Sequence, residues 1–122
     1  MIYIPGNVPS SKNSKQWTGR RLIDSKPTQR YREQTGILYK MNKTDFHVMI
    51  QDKNPPYYVT FKFIRDSKRR FDYHNAVQII ADMMVEYGWI EDDNADWFVP
   101  VFLPYEYKKN EGGVEINVMD KE

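Results

Sequence analysis

The stretch from Asp72 to Gly88 constrains this chain more than any other. Tyr73, Val77, Ile80, Met84 and Tyr87 recur at spacings of four and three, the period that lines apolar side chains along one stripe of an α-helix. Gly88 follows as the residue best suited to the left-handed conformation that closes a helix. A helix from Asp72 to Tyr87 is therefore the fixed point around which the other segments must pack. Asp72, Asn75, Asp82 and Glu86 fall on a neighbouring arc of about 80°, taking 100° per residue. His74, Gln78 and Val85 fall on a third arc, so the helix is expected to be covered on more than one side.

The remaining elements are read from the same kind of period. Ile2-Tyr3-Ile4 alternates as a short strand, and residues 6 to 19, rich in Ser, Asn, Lys and Pro, read as a polar loop. Arg20 to Asp24 is a second short strand. Ser25 and Pro27 then start a helix running to about Asn42, weakened in its middle by Gly36. Between Thr44 and Pro56 the signals conflict, because Phe46, Val48, Met49 and Ile50 are apolar but the run ends at Asn54-Pro55-Pro56. Tyr57 to Ile64 alternates as a half-buried strand, and Asp66 to Arg70 is a basic loop. Asp96 to Leu103 is a strand interrupted by Pro100, which marks an edge or a bulge, and Val114 to Met119 alternates cleanly. The order strand, short strand, helix, strand, helix, strand, strand is an α+β pattern.

Composition narrows the function classes. A chain of 122 residues is expected to form one domain, 1–122, with enough core to fold without staples. The absence of cysteine excludes disulfides and cysteine-based zinc sites and fits a reducing cytoplasm. With no long apolar run and no charged-then-apolar leader, neither a membrane span nor secretion is expected. No P-loop or GxGxxG is present, so a nucleotide cofactor has no support. The net charge of +1 hides an asymmetry: residues 1 to 70 hold 15 Lys and Arg against 5 Asp and Glu, and residues 71 to 122 hold 3 against 12. The halves are thus +10 and −9. One surface attracting a polyanion while another concentrates carboxylates would need such a split, and so would two halves that pair with each other.

Two acidic clusters carry the candidate chemistry, Asp72 with Asn75 at the start of the long helix and Glu91-Asp92-Asp93 past its end. Seventeen helical residues hold these about 25 Å apart in a straight rod. They can share an ion only if the loop folds back or a second subunit contributes. Mg²⁺ takes oxygen ligands and keeps several waters, so two or three carboxylates suffice for a site that activates water and neutralises a leaving oxygen in phosphodiester hydrolysis. Spacing alone favours the plainer reading, Asp72 as a helix cap and Glu91 to Asp93 as a solvated loop. A calcium loop is excluded: Asp92, Asn94 and Asp96 fit its first three ligand positions, but Trp97 stands at the glycine position and Leu103 at the terminal glutamate position.

The run Arg69-Arg70-Phe71-Asp72-Tyr73-His74-Asn75, then Asp82, then Gly88-Trp89-Ile90-Glu91-Asp92-Asp93 resembles the central signature of the RusA family of Holliday junction resolvases, common in phages and prophages. Pro9-Ser10-Ser11-Lys12-Asn13 and Ser25 to Tyr31 resemble the family's opening segments. The resemblance implies a small mixed β-sheet packed with two main helices, a homodimer, and a Mg²⁺-dependent endonuclease, with Mn²⁺ as a possible substitute, acting on four-way DNA in a bacterial cytoplasm. Carried over by position, Asp72 and Asp93 are metal-binding catalytic carboxylates with Asp92 beside them, and Asp82 and Asn75 are supporting. His74 stands where the family usually has a second Asp, and Gln78 where Lys is common. His74 becomes a candidate ligand or proton-transfer group, and Gln78 a supporting one.

In that light Lys68, Arg69 and Arg70 are expected to bring a phosphate backbone to the carboxylates. Lys12, Lys15, Arg20, Arg21, Lys26, Arg30 and Arg32, with Trp17 and Tyr31 among them, form a second candidate DNA face. The departures at His74 and Gln78 motivate an alternative, a branched-DNA binding protein of the same fold with weak or lost cleavage. The near-neutral net charge motivates another, a homodimeric interaction protein that binds no nucleic acid.

Overall fold

The computed structural model describes residues 1–10, 15–17 and 22–120, with 15–17 and 22–24 described by backbone alone. Its elements are β1 (Ile2–Pro5), β2 (Lys15–Trp17), β3 (Leu22–Asp24), α1 (Lys26–Met41), α2 (Lys43–Ile50), β4 (Tyr57–Arg65), α3 (Tyr73–Glu86), β5 (Phe98–Phe102), β6 (Glu106–Tyr107) and β7 (Gly113–Met119). The α+β class stands, with two corrections. A third helix, α2, occupies the segment where the signals conflicted, and β2 and β3 form a small antiparallel pair, so part of the expected polar loop is strand. None of the described helices is long and apolar enough to cross a membrane.

The main sheet is mixed, ordered β1-β7-β4-β5 with β6 also on β4. Antiparallel pairing joins β7 to both β1 and β4. On its other side β4 pairs in parallel with β5 and, further along, with β6. Parallel neighbours need a crossover, and α3 lies within the segment linking β4 to β5. Pro100 pairs opposite Val59 in β5, at the sheet edge, where its missing N–H leaves no inner ladder broken.

Burial follows the alternation along β4: Val59, Phe61 and Phe63 are fully buried. On α3 the buried set is wider than one stripe, comprising Ala76, Val77, Ile79, Ile80, Ala81, Met83 and Met84. This helix is clamped between the sheet and α1. Gly36 explains how α1 comes so near, because a Cβ there would lie 2.5 Å from the Tyr87 hydroxyl. Apolar Phe46, Met49 and Ile50 stand at i, i+3 and i+4 on α2 and turn inward, with Phe46 wholly buried.

The end of α3 is fixed by a single aromatic plug. Gly88 adopts φ +79°, the expected left-handed closure. Trp89 then enters the core between Tyr39 (ring centroids 5.4 Å) and Phe46 (5.1 Å) and donates its indole N–H to the Tyr39 carbonyl at 2.7 Å. With Trp89 and Ile90 both buried, the chain has left the helix axis before it reaches the acidic residues 91–93.

Candidate functional site

Asp72 occupies the N-cap of α3 in extended conformation, and its carboxylate accepts the His74 backbone N–H at 2.9 Å. It therefore satisfies one of the helix's orphan donors and places negative charge at the positive end of the helix dipole. The His74 ring is exposed and meets Phe102 edge-on at 5.8 Å. Asn75 reaches across to the amino-terminal segment, donating to the Ser10 carbonyl at 3.2 Å. That segment is also tied down by the Asp66 N–H donating to Asn7 Oδ1, and by the Arg65 guanidinium donating to the Val8 carbonyl.

The second acidic group forms at the other end of the helix. Asp92 organises its loop: its Oδ1 accepts the Asp93 N–H at 2.7 Å and its Oδ2 the Asn94 amide at 3.1 Å. Partial burial, a hydrogen bond to Asp92, and the charges of Asp82 and Asp92 hold the Asp93 carboxyl above the usual carboxylate range. Asp82 acts on Asp93 only through its charge and is itself restrained. Its Oδ1 accepts from the Gln78 amide at 3.2 Å, and Arg32 approaches it at 3.6 Å while pairing with Glu86 at 3.0 Å.

The loop beyond α3 thus returns to within the electrostatic reach of Asp82, which lies ten residues, or about 15 Å of helix, from Asp72. Asp92 and Asp93 stand side by side within electrostatic range of Asp82, which Gln78 engages, while Asp72, His74 and Asn75 belong to the start of the helix. Among the described residues no three His, Cys, Asp or Glu side chains are grouped to hold a metal ion. The donor chemistry of Asp92 and Asp93 still suits Mg²⁺ or Mn²⁺. Two adjacent carboxylates, one with its charge disfavoured by its neighbours, match a cation that binds through one or two carboxylates and completes its shell with water.

Positive charge gathers beside the start of α3. Arg65, Arg69 and Arg70 line a groove of about 570 Å³ together with Asn7, Asp66 and Ser67. Arg69 also borders an adjoining groove of about 350 Å³ that contains Arg30. Arg65 was not among the expected binding residues because it falls within the β4 pattern; it is buried, and its guanidinium lies 4.5 Å from the centre of the Phe71 ring. The expected second DNA face changes in two places. Tyr31 is buried and hydrogen-bonded to Tyr39 at 2.9 Å, with burial pushing its hydroxyl up to about 12, so it is a core residue. Arg32 faces Asp82 and Glu86. Lys12, Arg20 and Arg21, and the side chains of Lys15 and Trp17, lie outside the described residues.

Against this geometry, residues 5–119 match the family model Endodeoxyribonuclease RusA. No curated protein matches the chain.

Proposed function

The chain belongs to the RusA endodeoxyribonuclease family, and on that premise we propose that it is a metal-dependent, structure-selective endonuclease that resolves four-way DNA junctions by phosphodiester hydrolysis as a homodimer. The observation that carries the reading is the match of residues 5–119 to the RusA endodeoxyribonuclease family model, supported by the adjacent carboxylates of Asp92 and Asp93. A partly buried carboxylate beside another is poised to gain from a cation. Asp92 and Asp93 would hold it; Asp72 and His74, the further proposed ligands, stand at the other end of α3 and would join them from the second subunit of the homodimer. The chemistry a bound Mg²⁺ or Mn²⁺ supplies is activation of water and neutralisation of the leaving oxygen.

The chain's own groups do the rest. Arg69 and Arg70, exposed beside Asp72, draw in the phosphate backbone and offset its repulsion by the carboxylates. Gln78 and Arg32 hold Asp82 turned along α3 and damp its charge. Asn75 anchors the segment that leads into Lys12 and Lys15, which would extend the phosphate track. Two-fold symmetry would suit a substrate that needs two opposed nicks.

A nicking assay on a four-way junction with Mg²⁺ and Mn²⁺ tests this. Wild-type protein should nick the junction and stop when the metal is chelated. Asp93→Asn should lose about 10²-fold or more in rate while binding within a few-fold of wild type, because the charge it removes acts on the transition state. Near-wild-type nicking by this variant would overturn the site. A second reading, a junction-binding protein with weak or lost cleavage, is favoured by Gln78 being engaged with Asp82 and by the His74 ring lying against Phe102. Its signature is tight junction binding without nicking by either metal.

A further inference from the structure

Where β5 passes into β6, two tyrosines face solvent two residues apart: Tyr105 is 50% exposed and Tyr107 40%. Glu106 lies opposite Ile64 and Tyr107 opposite Arg65 in the β4 ladder, which sets the two rings on one side, while one extra residue between Phe102, opposite Phe61, and Glu106 turns Leu103 to the other. Neither ring is loosely held. Tyr107 pairs with Arg65 of β4, and the Tyr105 N–H donates to the Tyr73 hydroxyl at 2.9 Å. Tyr73 directly follows Asp72, so the edge is referenced to the start of α3 by a hydrogen bond.

The rings are also backed. Tyr105 stands 5.5 Å from Phe71, which lies in turn under the Arg65 guanidinium, and the Lys68 ammonium sits 5.2 Å from the centre of the Tyr107 ring. Cations interleaved with half-exposed aromatic rings are complementary to a ligand that carries flat π faces on an anionic chain, which is an unpaired nucleic-acid strand. A duplex hides its base faces and offers only phosphates to such a surface. A subunit interface would want a larger apolar core with fewer charges at its centre.

We propose that Tyr105 and Tyr107 form a stacking ledge for unpaired bases, whose phosphates are taken by Lys68 and the adjoining Arg69 and Arg70. The inference rests on the nucleic-acid reading above and adds to it a means of telling an opened branch point from plain duplex. Bases that lose their partners at a junction stack on the ledge, and the strand is registered against Asp72 through the contact from Tyr105 to Tyr73.

The test measures binding of labelled oligothymidylate, a duplex and a four-way junction by fluorescence anisotropy, with chelator present. Tyr105→Ala should weaken oligothymidylate and junction binding by roughly 5- to 150-fold, the span of aromatic stacking on one base, and leave duplex binding within about two-fold. Tyr105→Phe keeps the ring and should bind like wild type. Should Tyr105→Ala fail to fold, Tyr107→Ala must show the same selective loss or the ledge falls. Equal weakening on all three probes, no weakening on any, or loss in Tyr105→Phe matching that in Tyr105→Ala overturns the ledge. So does a change in sedimenting mass caused by Tyr105→Ala, which would make the edge a contact between copies. Wild-type cleavage of the junction with Tyr105→Ala unaffected sinks the ledge alone, whereas wild-type protein that binds none of the probes sinks the ledge and the endonuclease reading together.

Discussion

Asp93 illustrates how a candidate site residue can work against the fold that carries it. Its carboxyl is held above the usual carboxylate range, first by partial burial and then by Asp92 and Asp82, so the folded state binds the proton more tightly than the unfolded chain does. Stability therefore falls as pH rises from the unfolded carboxylate range through the folded one, and at neutral pH the ionised group is a net cost. Asp93→Asn removes that cost. In chelator at pH 7 this variant should have a higher Tm than wild type, with the difference shrinking as pH falls below the carboxylate range. A lower Tm at pH 7 would mean that Asp93 makes a contact worth more than the repulsion. At the other end of the helix, Asp72 is the N-cap of α3, its Oδ1 accepting the His74 N–H; the proposed ligand role would fall to its second oxygen.

Among the elements, α1 comes close to the end of α3 at Gly36. The Cβ that Gly36 lacks would fall 2.5 Å from the Tyr87 hydroxyl oxygen and 3.4 Å from its ring carbon. Gly36→Ala alone should cost about 1–3 kcal/mol by overpacking, even though alanine is the better helix former by about 1 kcal/mol. Removing the hydroxyl with Tyr87→Phe should let the methyl in. In that background Gly36→Ala should be neutral or stabilising, and the cycle should show a coupling of the size expected for touching residues. Additive effects in chemical denaturation would place the strain elsewhere. The same pair explains why a glycine is tolerated mid-helix, a position that looked weak in the sequence.

Over the whole molecule, the charge asymmetry divides between internal ion pairs and an exposed basic loop. Part of it is spent internally, since Arg32 pairs with Asp82 and Glu86, Lys53 with Asp120, and Lys62 with Glu106 and Glu115. The loop of Lys68, Arg69 and Arg70 is exposed beside the grooves. Each phosphate neutralised contributes about −0.9 to the slope of log affinity against log salt on duplex DNA. Replacing all three by Ala should flatten the slope of junction binding by up to about 3, while Lys53→Ala, at the far end of β4, should leave it unchanged. Equal slopes in the triple variant and wild type would move the DNA to another face.

What the sequence determined by itself was local. The helix from Asp72 to Tyr87, its glycine stop, the alternation of β4 and the edge position of Pro100 all follow from periods and caps that act over a few residues, and the structure reproduces each. The helix α2 was hidden because its short stripe of Phe46, Met49 and Ile50 sits between a preceding helix and a proline pair, and eight residues show too few turns to declare a period. Tyr31 and Arg32 were read among the basic first half, and only packing against Tyr39 and α3 revealed one as core and the other as an ion-pair partner. The same holds for the acidic clusters. Spacing required a fold-back or a second subunit, but how far the loop returns depends on Trp89 finding its slot between Tyr39 and Phe46. That slot is made by α1 and α2, distant in the chain, and contacts between distant segments leave no period for a sequence to display.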